Sequence, residues 1–144
     1  MNKSKDALLQ VRNLHLSFNT YAGVVRAIRG VSFDLYQGEN LAIVGESGSG
    51  KTVTSKTILR LFKPPLVTIG AESEIIYDGK NVLTMTDKEI LNFRGKEVSM
   101  IFQDPMTSLD PTMKIGKQIS EIILTHTKIS KKEAWQQAIE LLRD

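Results

Sequence analysis

Residues Gly45 to Thr52 read Gly-Glu-Ser-Gly-Ser-Gly-Lys-Thr and match the pattern G-x-x-x-x-G-K-[ST] at every fixed position. The apolar run Leu41–Val44 precedes them, and a helical pattern from about Lys51 to Phe62 follows. A strand, a glycine-rich loop and a helix start, in that order, form a cradle for phosphate groups. This segment, called here the phosphate loop, predicts nucleotide phosphate binding and an α/β fold.

Each residue type in the phosphate loop has its own physical task. Glycine at 45, 48 and 50 allows backbone torsions that a Cβ would forbid, so successive N–H groups can turn inward. Lys51 supplies a mobile cation for the β- and γ-phosphates, and Thr52 offers a hydroxyl to Mg²⁺, which prefers oxygen ligands. The helix that starts near Lys51 adds the positive end of its dipole. The predicted nucleotide-binding residues of this segment are Gly45, Glu46, Ser47, Gly48, Ser49, Gly50, Lys51, Thr52 and Val53.

Apolar patterning predicts several strands around this loop. Alternating residues predict strands at Leu8–Phe18, Val24–Ile28 and Val31–Leu35. The run Leu41–Val44 does not alternate, which predicts a strand buried on both faces, as in a parallel sheet. A hairpin is predicted from Glu74 to Leu83 around Asp78-Gly79, and a further apolar strand at Val98–Phe102.

Helix starts are marked by two capping boxes. Thr86 with Glu89, and Ser130 with Glu133, have the spacing in which each side chain bonds the other residue's backbone N–H. Gly95 closes the first of these helices. The predicted helices are Lys51–Phe62, Thr86–Phe93, Ile115–Leu124 and a last one from Ser130 to Asp144. The chain is therefore α/β, with an antiparallel β region, one strand–loop–helix unit and a helical C-terminal segment.

Composition removes several classes of protein. The chain has 144 residues and no cysteine, which excludes disulfides, thiolate metal sites and a cysteine nucleophile. A formal net charge of +3 without a basic block argues against a nucleic-acid partner. No stretch approaches the roughly 20 apolar residues that span a bilayer, and the N-terminus has no signal-peptide core. Any membrane role is therefore expected to be peripheral.

Three segments carry a resemblance to a known family. They are Leu14-His15-Leu16-Ser17-Phe18, the stretch from Ile28 through the phosphate loop, and Val98-Ser99-Met100-Ile101-Phe102-Gln103-Asp104-Pro105-Met106-Thr107-Ser108-Leu109-Asp110-Pro111. Together they resemble the N-terminal half of an ABC transporter ATP-binding subunit, over about Leu8 to Asp144. The last segment is similar to the Q-loop of the oligopeptide/dipeptide/nickel importer branch.

The resemblance implies ATP and Mg²⁺ as cofactors and gives roles to further residues. Phe18 matches the aromatic residue that stacks on adenine, with Tyr21 as the rival. Gln103 matches the glutamine that reaches Mg²⁺ and the attacking water, so the implied metal residues are Thr52 and Gln103. His15, His126 and Trp135 are interpreted as structural residues.

The resemblance also implies partners and a domain division. The Gln103–Pro111 loop and the following helices match the region that faces transmembrane permease subunits. A second ATP-binding subunit and, indirectly, a solute-binding protein complete the implied assembly at the cytoplasmic face of the membrane. Residues 1–104 are expected to form the β region and phosphate-loop core, and residues 105–144 the start of a helical subdomain.

The sequence departs from the family because three of its motifs do not occur here. They are the signature Leu-Ser-Gly-Gly, the apolar strand ending in Asp-Glu, and a later switch histidine. Hydrolysis needs positioned carboxylates, so no complete catalytic set is present and no ATP turnover is expected from this chain alone. Two functions stay open: part of an importer ATPase, or an inactive nucleotide-binding or interaction fragment. A small-molecule kinase is a weaker third alternative.

Loss of the family's later strands has a consequence for folding. Leu41–Val44 and Val98–Phe102 are expected to border the resulting gap, with unpaired N–H and C=O groups. The isolated chain is therefore expected to be loose, or to pair its open edge with a second copy.

Overall fold

The computed structural model describes residues 7–104 and 109–143. The chain divides into two compact units, the first ending at Ile90 and the second starting at Leu91. Helices and an antiparallel sheet make the protein α/β, which confirms the predicted fold class. None of the described helices combines the length and apolar character that crossing a membrane requires.

The first unit is built on a five-stranded antiparallel sheet whose central strand is β1. The strands are β1 (Ala7–Thr20), β2 (Gly23–Tyr36), β3 (Val67–Ile69), β4 (Glu74–Tyr77) and β5 (Lys80–Asn81). The order is β2-β1-β4-β5, and β3 pairs with β1 as well. Strand β3 was not predicted. The two strands predicted at 24–28 and 31–35 are one continuous strand, β2.

Strand β1 buries apolar residues at positions of two different parities. Leu9 and Val11 are odd-numbered, whereas Leu14 and Leu16 are even-numbered, yet all four are buried. Side chains of a regular strand alternate between faces, so one irregular residue must intervene. The pairing with β2 shifts register between Val11 and Leu14, where Asn13 has a φ of 44°. This β-bulge keeps both apolar pairs in one core.

Short helices complete the first unit. Helix α1 spans Lys51–Ile58 and is four residues shorter than predicted. The predicted hairpin at Asp78-Gly79 is confirmed, but its second strand turns into a 3₁₀ helix at Val82–Thr84. Helix α2 (Asp87–Asn92) begins at the predicted capping box: Thr86 N–H donates to Glu89 at 2.9 Å, and Glu89 N–H donates to Thr86 Oγ1 at 3.3 Å.

The strand predicted at Leu41–Val44 is absent, so this prediction is wrong. Residues 39–46 are irregular, and Val44 is 87% exposed. Within the described part of the chain, no strand pairs with these residues. A strand exists only through hydrogen bonds to its neighbours, so an apolar run without a neighbour stays irregular.

The strand predicted at Val98–Phe102 is wrong for the same reason. This part of the second unit forms a single bridge, between Arg94 and Val98, and residues 99–102 are irregular. Ile101 is 97% exposed. The turn over Phe93–Glu97 that precedes it contains Gly95 at a φ of 82°, the helix-closing residue that was predicted.

Two helices of the second unit pack against each other. They are α3 (Ile115–His126) and α4 (Lys131–Glu140). Helix α4 has the predicted capping box, formed by Ser130 and Glu133, but ends before Asp144. The Trp135 ring lies over Gly116, where a Cβ would come within 2.8 Å of it. Trp135 therefore holds α3 against α4 while staying 47% exposed.

Candidate functional site

The phosphate loop leads directly into the N-terminus of α1. Gly50 is the N-cap, with a left-handed φ of 92°, and no side chain caps the helix. The first backbone hydrogen bond of α1 runs from Thr54 N–H to Gly50 O at 2.8 Å. The N–H groups of the first helical turn, from Lys51 to Val53, therefore have no helical acceptor and are available to an anion.

Lys51 folds back over the phosphate loop. Its Nζ donates to Gly45 O at 2.7 Å, to Glu46 O at 2.6 Å and to Ser49 Oγ at 3.3 Å. None of these three acceptors is charged, so they leave the positive charge of Lys51 uncompensated at the mouth of the loop. A bound phosphate would offer the same donors charged acceptors, which form stronger hydrogen bonds.

Two glycines of the loop have close neighbours, a side chain at Gly45 and a backbone group at Gly50. A Cβ on Gly45 would lie 2.7 Å from Ser49 Oγ, and one on Gly50 would lie 2.8 Å from Ala27 O on strand β2. The second contact is with backbone, which cannot rotate away. Alanine at Gly50 would therefore separate the loop from β2 as well as strain the left-handed conformation.

The hydroxyl of Thr52 differs from the other hydroxyls of α1. Thr54, Ser55 and Thr57 each donate to the carbonyl oxygen four residues earlier, at 2.6–3.2 Å. Thr52 is exposed and its hydroxyl makes no hydrogen bond within the described part of the chain. An unengaged oxygen next to the phosphate-binding amides fits the oxygen-rich coordination of Mg²⁺.

Phe18 lies near the end of β1 and is half-buried. Its ring contacts Phe62 edge-to-face, with the centroids 5.2 Å apart and an interplanar angle of 89°. The contact is held by β3, because Phe18 pairs with Val67 in the sheet. Tyr21, the rival for stacking on adenine, is fully exposed in the β1–β2 turn.

Gln103 belongs to the second unit and is exposed. Residues 105–108 of the Gln103–Pro111 loop lie outside the described residues. Of the histidines, His15 is exposed, with Nδ1 2.9 Å from Asn13 O. His126 is the last residue of α3, and its ring lies against Gly95.

Sequence reasoning missed three residues of the first unit that lie next to predicted site residues. Phe62, which contacts Phe18, was interpreted only as the end of a helix; Arg26 was part of a predicted strand, and Arg29 lay between two predicted strands. The two arginines line a cleft beside the loop, together with Gly48 and Ser49. Basic residues three apart on a strand were a visible signal, but nothing in the sequence indicated that this strand touches the loop.

The family of the chain follows from a match that covers most of its length. The sequence profile described as ABC transporter matches residues 28–144. The chain belongs to the ABC transporter family. This confirms the resemblance predicted from Leu14–Phe18, the phosphate loop and the Q-loop segment.

The most similar ABC transporter proteins include two curated bacterial relatives. The chain is 56% identical over 135 residues to the oligopeptide transport ATP-binding protein OppD of Bacillus subtilis, covering 94% of this chain and 37% of that protein. It is 53% identical over 141 residues to the dipeptide transport ATP-binding protein DppD of Lactococcus lactis, covering 97% and 40%. The chain thus spans about two fifths of the length of these relatives.

Solved structures agree on the fold of this ABC transporter chain. The dimeric, post-hydrolysis structure of the ATP-binding cassette MJ0796, bound to ADP and Pi, superposes with a TM-score of 0.71 at 22% identity. It covers 94% of this chain and 56% of the cassette. A second dimeric structure of the MJ0796 cassette gives the same TM-score, at 21% identity.

Proposed function

We propose that this chain is the ATP-binding portion of an ABC importer subunit that takes up peptides or a related small solute. The observation that carries the proposal is the open N-terminus of α1 behind the phosphate loop, with Lys51 folded over it. Amide hydrogens, a helix dipole and a mobile cation meet at one point, as binding of a nucleotide triphosphate requires. The relatives named as oligopeptide and dipeptide transport proteins support the solute class.

The residues proposed to hold the phosphates are the loop and the first turn of α1, from Gly45 to Val53. Lys51 exchanges its carbonyl acceptors for phosphate oxygens, and the open amides bind the remaining charge. Mg²⁺, held by the Thr52 hydroxyl together with phosphate oxygens, would neutralise charge on the phosphates. Gln103 is proposed as a further residue toward the metal and the water.

Phe18 is the residue proposed to stack on adenine. Its ring lies at the end of β1 and is fixed by Phe62, so little side-chain freedom is lost when a base binds. Tyr21 remains the alternative, because its exposed ring is free to move.

We propose that the chain assembles with the partners that the family resemblance implies. Permease subunits would contact the Gln103–Pro111 loop and the helices after it, and a second ATP-binding subunit would face the phosphate loop. The dimeric cassette that shares the fold is compatible with such pairing. The chain would then act at the cytoplasmic face of the membrane, with a solute-binding protein as an indirect partner. The division of the chain at about residue 104 also remains part of this proposal.

Calorimetric titration with MgATP tests the proposal. The wild-type chain is expected to bind weakly, and Lys51→Ala to lose binding, because the cation at the mouth of the loop is removed. Lys80→Ala, which removes an exposed cation of β5 in the same unit, is the matched control and should bind as the wild type does. Unchanged ATP affinity in Lys51→Ala would contradict the assignment of the site.

A phosphate-release assay on the same samples tests whether this chain hydrolyses ATP by itself. No steady ATP turnover is expected from residues 1–144, since the Asp-Glu pair and the partner's signature loop are not in this sequence. A steady rate that disappears in Lys51→Ala would instead assign a complete catalytic set to this chain.

A further inference from the structure

A cleft of about 390 Å³ opens beside the phosphate loop in the first unit. Gly48 and Ser49 of the loop line one side, and β2 lines the other with Arg26, Arg29 and the residues between them. The loop and β2 approach each other closely at the base of these two sides, because a Cβ on Gly50 would lie 2.8 Å from the carbonyl oxygen of Ala27. We call this space the β2 cleft.

The arginines of the β2 cleft differ from other arginines of the first unit. Arg12 pairs with Asp34 at 2.6 Å, and Arg60 pairs with Asp87 at 3.6 Å. The side chains of Arg26 and Arg29 are exposed and have no ion pair or hydrogen bond within the described part of the chain. Two uncompensated cations thus stand beside a loop that carries a third, Lys51.

Arg26 and Arg29 both line the cleft, and Lys51 Nζ lies 3.3 Å from the hydroxyl of Ser49, which lines the opposite side. These like charges repel each other unless an anion lies among them. The guanidinium group presents donors in a fork that matches phosphate oxygens, and it keeps its charge at every physiological pH. The loop residues that line the cleft, Gly48 and Ser49, directly precede Gly50, the N-cap of α1 behind which the open amides begin. An anion in the cleft would therefore receive donors from both walls.

Building on the proposed function, we propose that Arg26 and Arg29 form a second, cationic wall of the nucleotide site. They bind phosphate oxygens of ATP from the β2 side, while the phosphate loop binds them from the other side. Both arginines are binding residues in this account, and neither takes part in bond cleavage.

The effect of each arginine substitution on binding affinity should depend on the number of phosphates in the ligand. Loss of a guanidinium group should lower the affinity for ATP more than the affinity for ADP. The affinity for adenosine should not change, because adenosine carries no phosphate. Lysine in place of arginine keeps the charge but loses the forked geometry, so Arg26→Lys should recover part of the affinity. A purely structural role for these side chains would not depend on phosphate number.

Titrations of MgATP, MgADP and adenosine into Arg26→Gln, Arg29→Gln and the double variant test the proposal. Each single change is expected to lower ATP affinity about three- to tenfold, and the double change about tenfold or more. The ATP affinity of the double variant should also depend less steeply on salt concentration. Lys80→Gln removes one exposed charge outside the cleft and is the matched control. Thermal melts followed by circular dichroism establish that each variant is folded.

The outcomes separate this proposal from the proposed function. If the double variant binds ATP within twofold of wild type while Lys51→Ala loses binding, the cationic wall is wrong and the phosphate loop stands. If the affinities for adenosine and for ATP fall equally, the arginines act through the structure of the β1–β2 hairpin, and the proposal is also overturned. If Lys51→Ala binds ATP normally, the proposed function itself fails.

Discussion

Two apolar segments of the first unit behave in opposite ways. Leu14 and Leu16 on β1 are buried, and strands pair with β1 along both of its edges. Leu41, Ile43 and Val44 are just as apolar, yet they are 47%, 42% and 87% exposed. Within the described part of the chain, no strand pairs with this second segment.

The difference shows that apolar character alone does not make a strand. A strand gains stability from the hydrogen bonds of its neighbours and from the side chains that those neighbours bring. One partner of β1 is close along the chain, because β2 follows it through a two-residue turn, and β3 and β4 pair with the other edge. Leu41–Val44 has the composition of a central strand but lacks partners, so the same kind of residue stays in water.

Alanine substitutions in the two segments should have very different effects on stability. Leu14→Ala removes a fully buried side chain, and we expect a loss of about 2–5 kcal/mol in the free energy of unfolding. Ile43→Ala removes a side chain that contacts water, and we expect a change below about 0.5 kcal/mol. Urea unfolding followed by circular dichroism measures both. Equal losses of unfolding free energy would mean that Leu41–Val44 is packed in solution, and the two segments would then not differ as described.

Phe62 offers a sharper test of what the sheet does for the site. Strand β3 brings Phe62 against Phe18, and an edge-to-face pair contributes about 0.5–1.5 kcal/mol beyond buried area. Phe62→Ala should therefore weaken MgATP binding by roughly two- to tenfold, and Phe18→Ala by more, because that ring is lost itself. Leu61→Ala is the neighbouring control. If Phe18→Ala binds MgATP with wild-type affinity, Phe18 does not stack on adenine, and Tyr21 becomes the residue assigned to that contact.

The smallest effect is expected at the helix caps, which need no partner strand. Hydrogen bonds from the Ser130 N–H and hydroxyl hold the pKa of Glu133 below its usual value of 4.5, and the same arrangement at Thr86 lowers the pKa of Glu89. The ionised glutamate therefore stabilises the folded helix fully at pH values above the pKa that it has in the unfolded chain. This stabilisation is lost as pH falls through the lower pKa that the glutamate has in the folded chain. Helix α4 should therefore lose its cap only at pH values below the usual pKa of a glutamate carboxyl.

Circular dichroism as a function of acid pH checks the cap. Ser130→Ala should cost α4 about 1 kcal/mol at neutral pH. Glu133→Gln should remove most of the acid dependence, because the main cause of the lowered pKa of Glu133 is the Ser130 backbone N–H, which Ser130→Ala keeps. Glu121→Gln, an exposed change on α3 outside the cap, should behave as the wild type does. An unchanged stability in Ser130→Ala, together with identical acid profiles for Glu133→Gln and the wild type, would show that the capping box contributes nothing.

Sequence reasoning succeeded where the signal was local. The capping boxes Thr86/Glu89 and Ser130/Glu133 need three residues of spacing, and both formed. The hairpin at Asp78-Gly79 and the helix start at Lys51 also depend on adjacent residues. The family could be predicted from the sequence because its motifs are contiguous.

The strands and contacts that sequence reasoning got wrong or missed depend on residues far apart along the chain. Whether Leu41–Val44 and Val98–Phe102 form strands depends on partners elsewhere, which no local pattern reports. The contact between Phe18 and Phe62 spans more than 40 positions and requires a strand of three residues, β3, that carries almost no signal. The closeness of Arg26 to the phosphate loop likewise follows from packing between β2 and Gly50.

The central claim is that the open amides of the phosphate loop and of the first turn of α1 hold the phosphates of ATP. Amide hydrogen exchange of the 144-residue chain, with and without MgATP, tests it most directly. The account predicts new protection at residues 45–53 on adding MgATP, while the paired residues of β1 and β2 keep their already slow exchange. Lys51→Ala should abolish the new protection. Unchanged exchange at 45–53 in saturating MgATP would contradict the account.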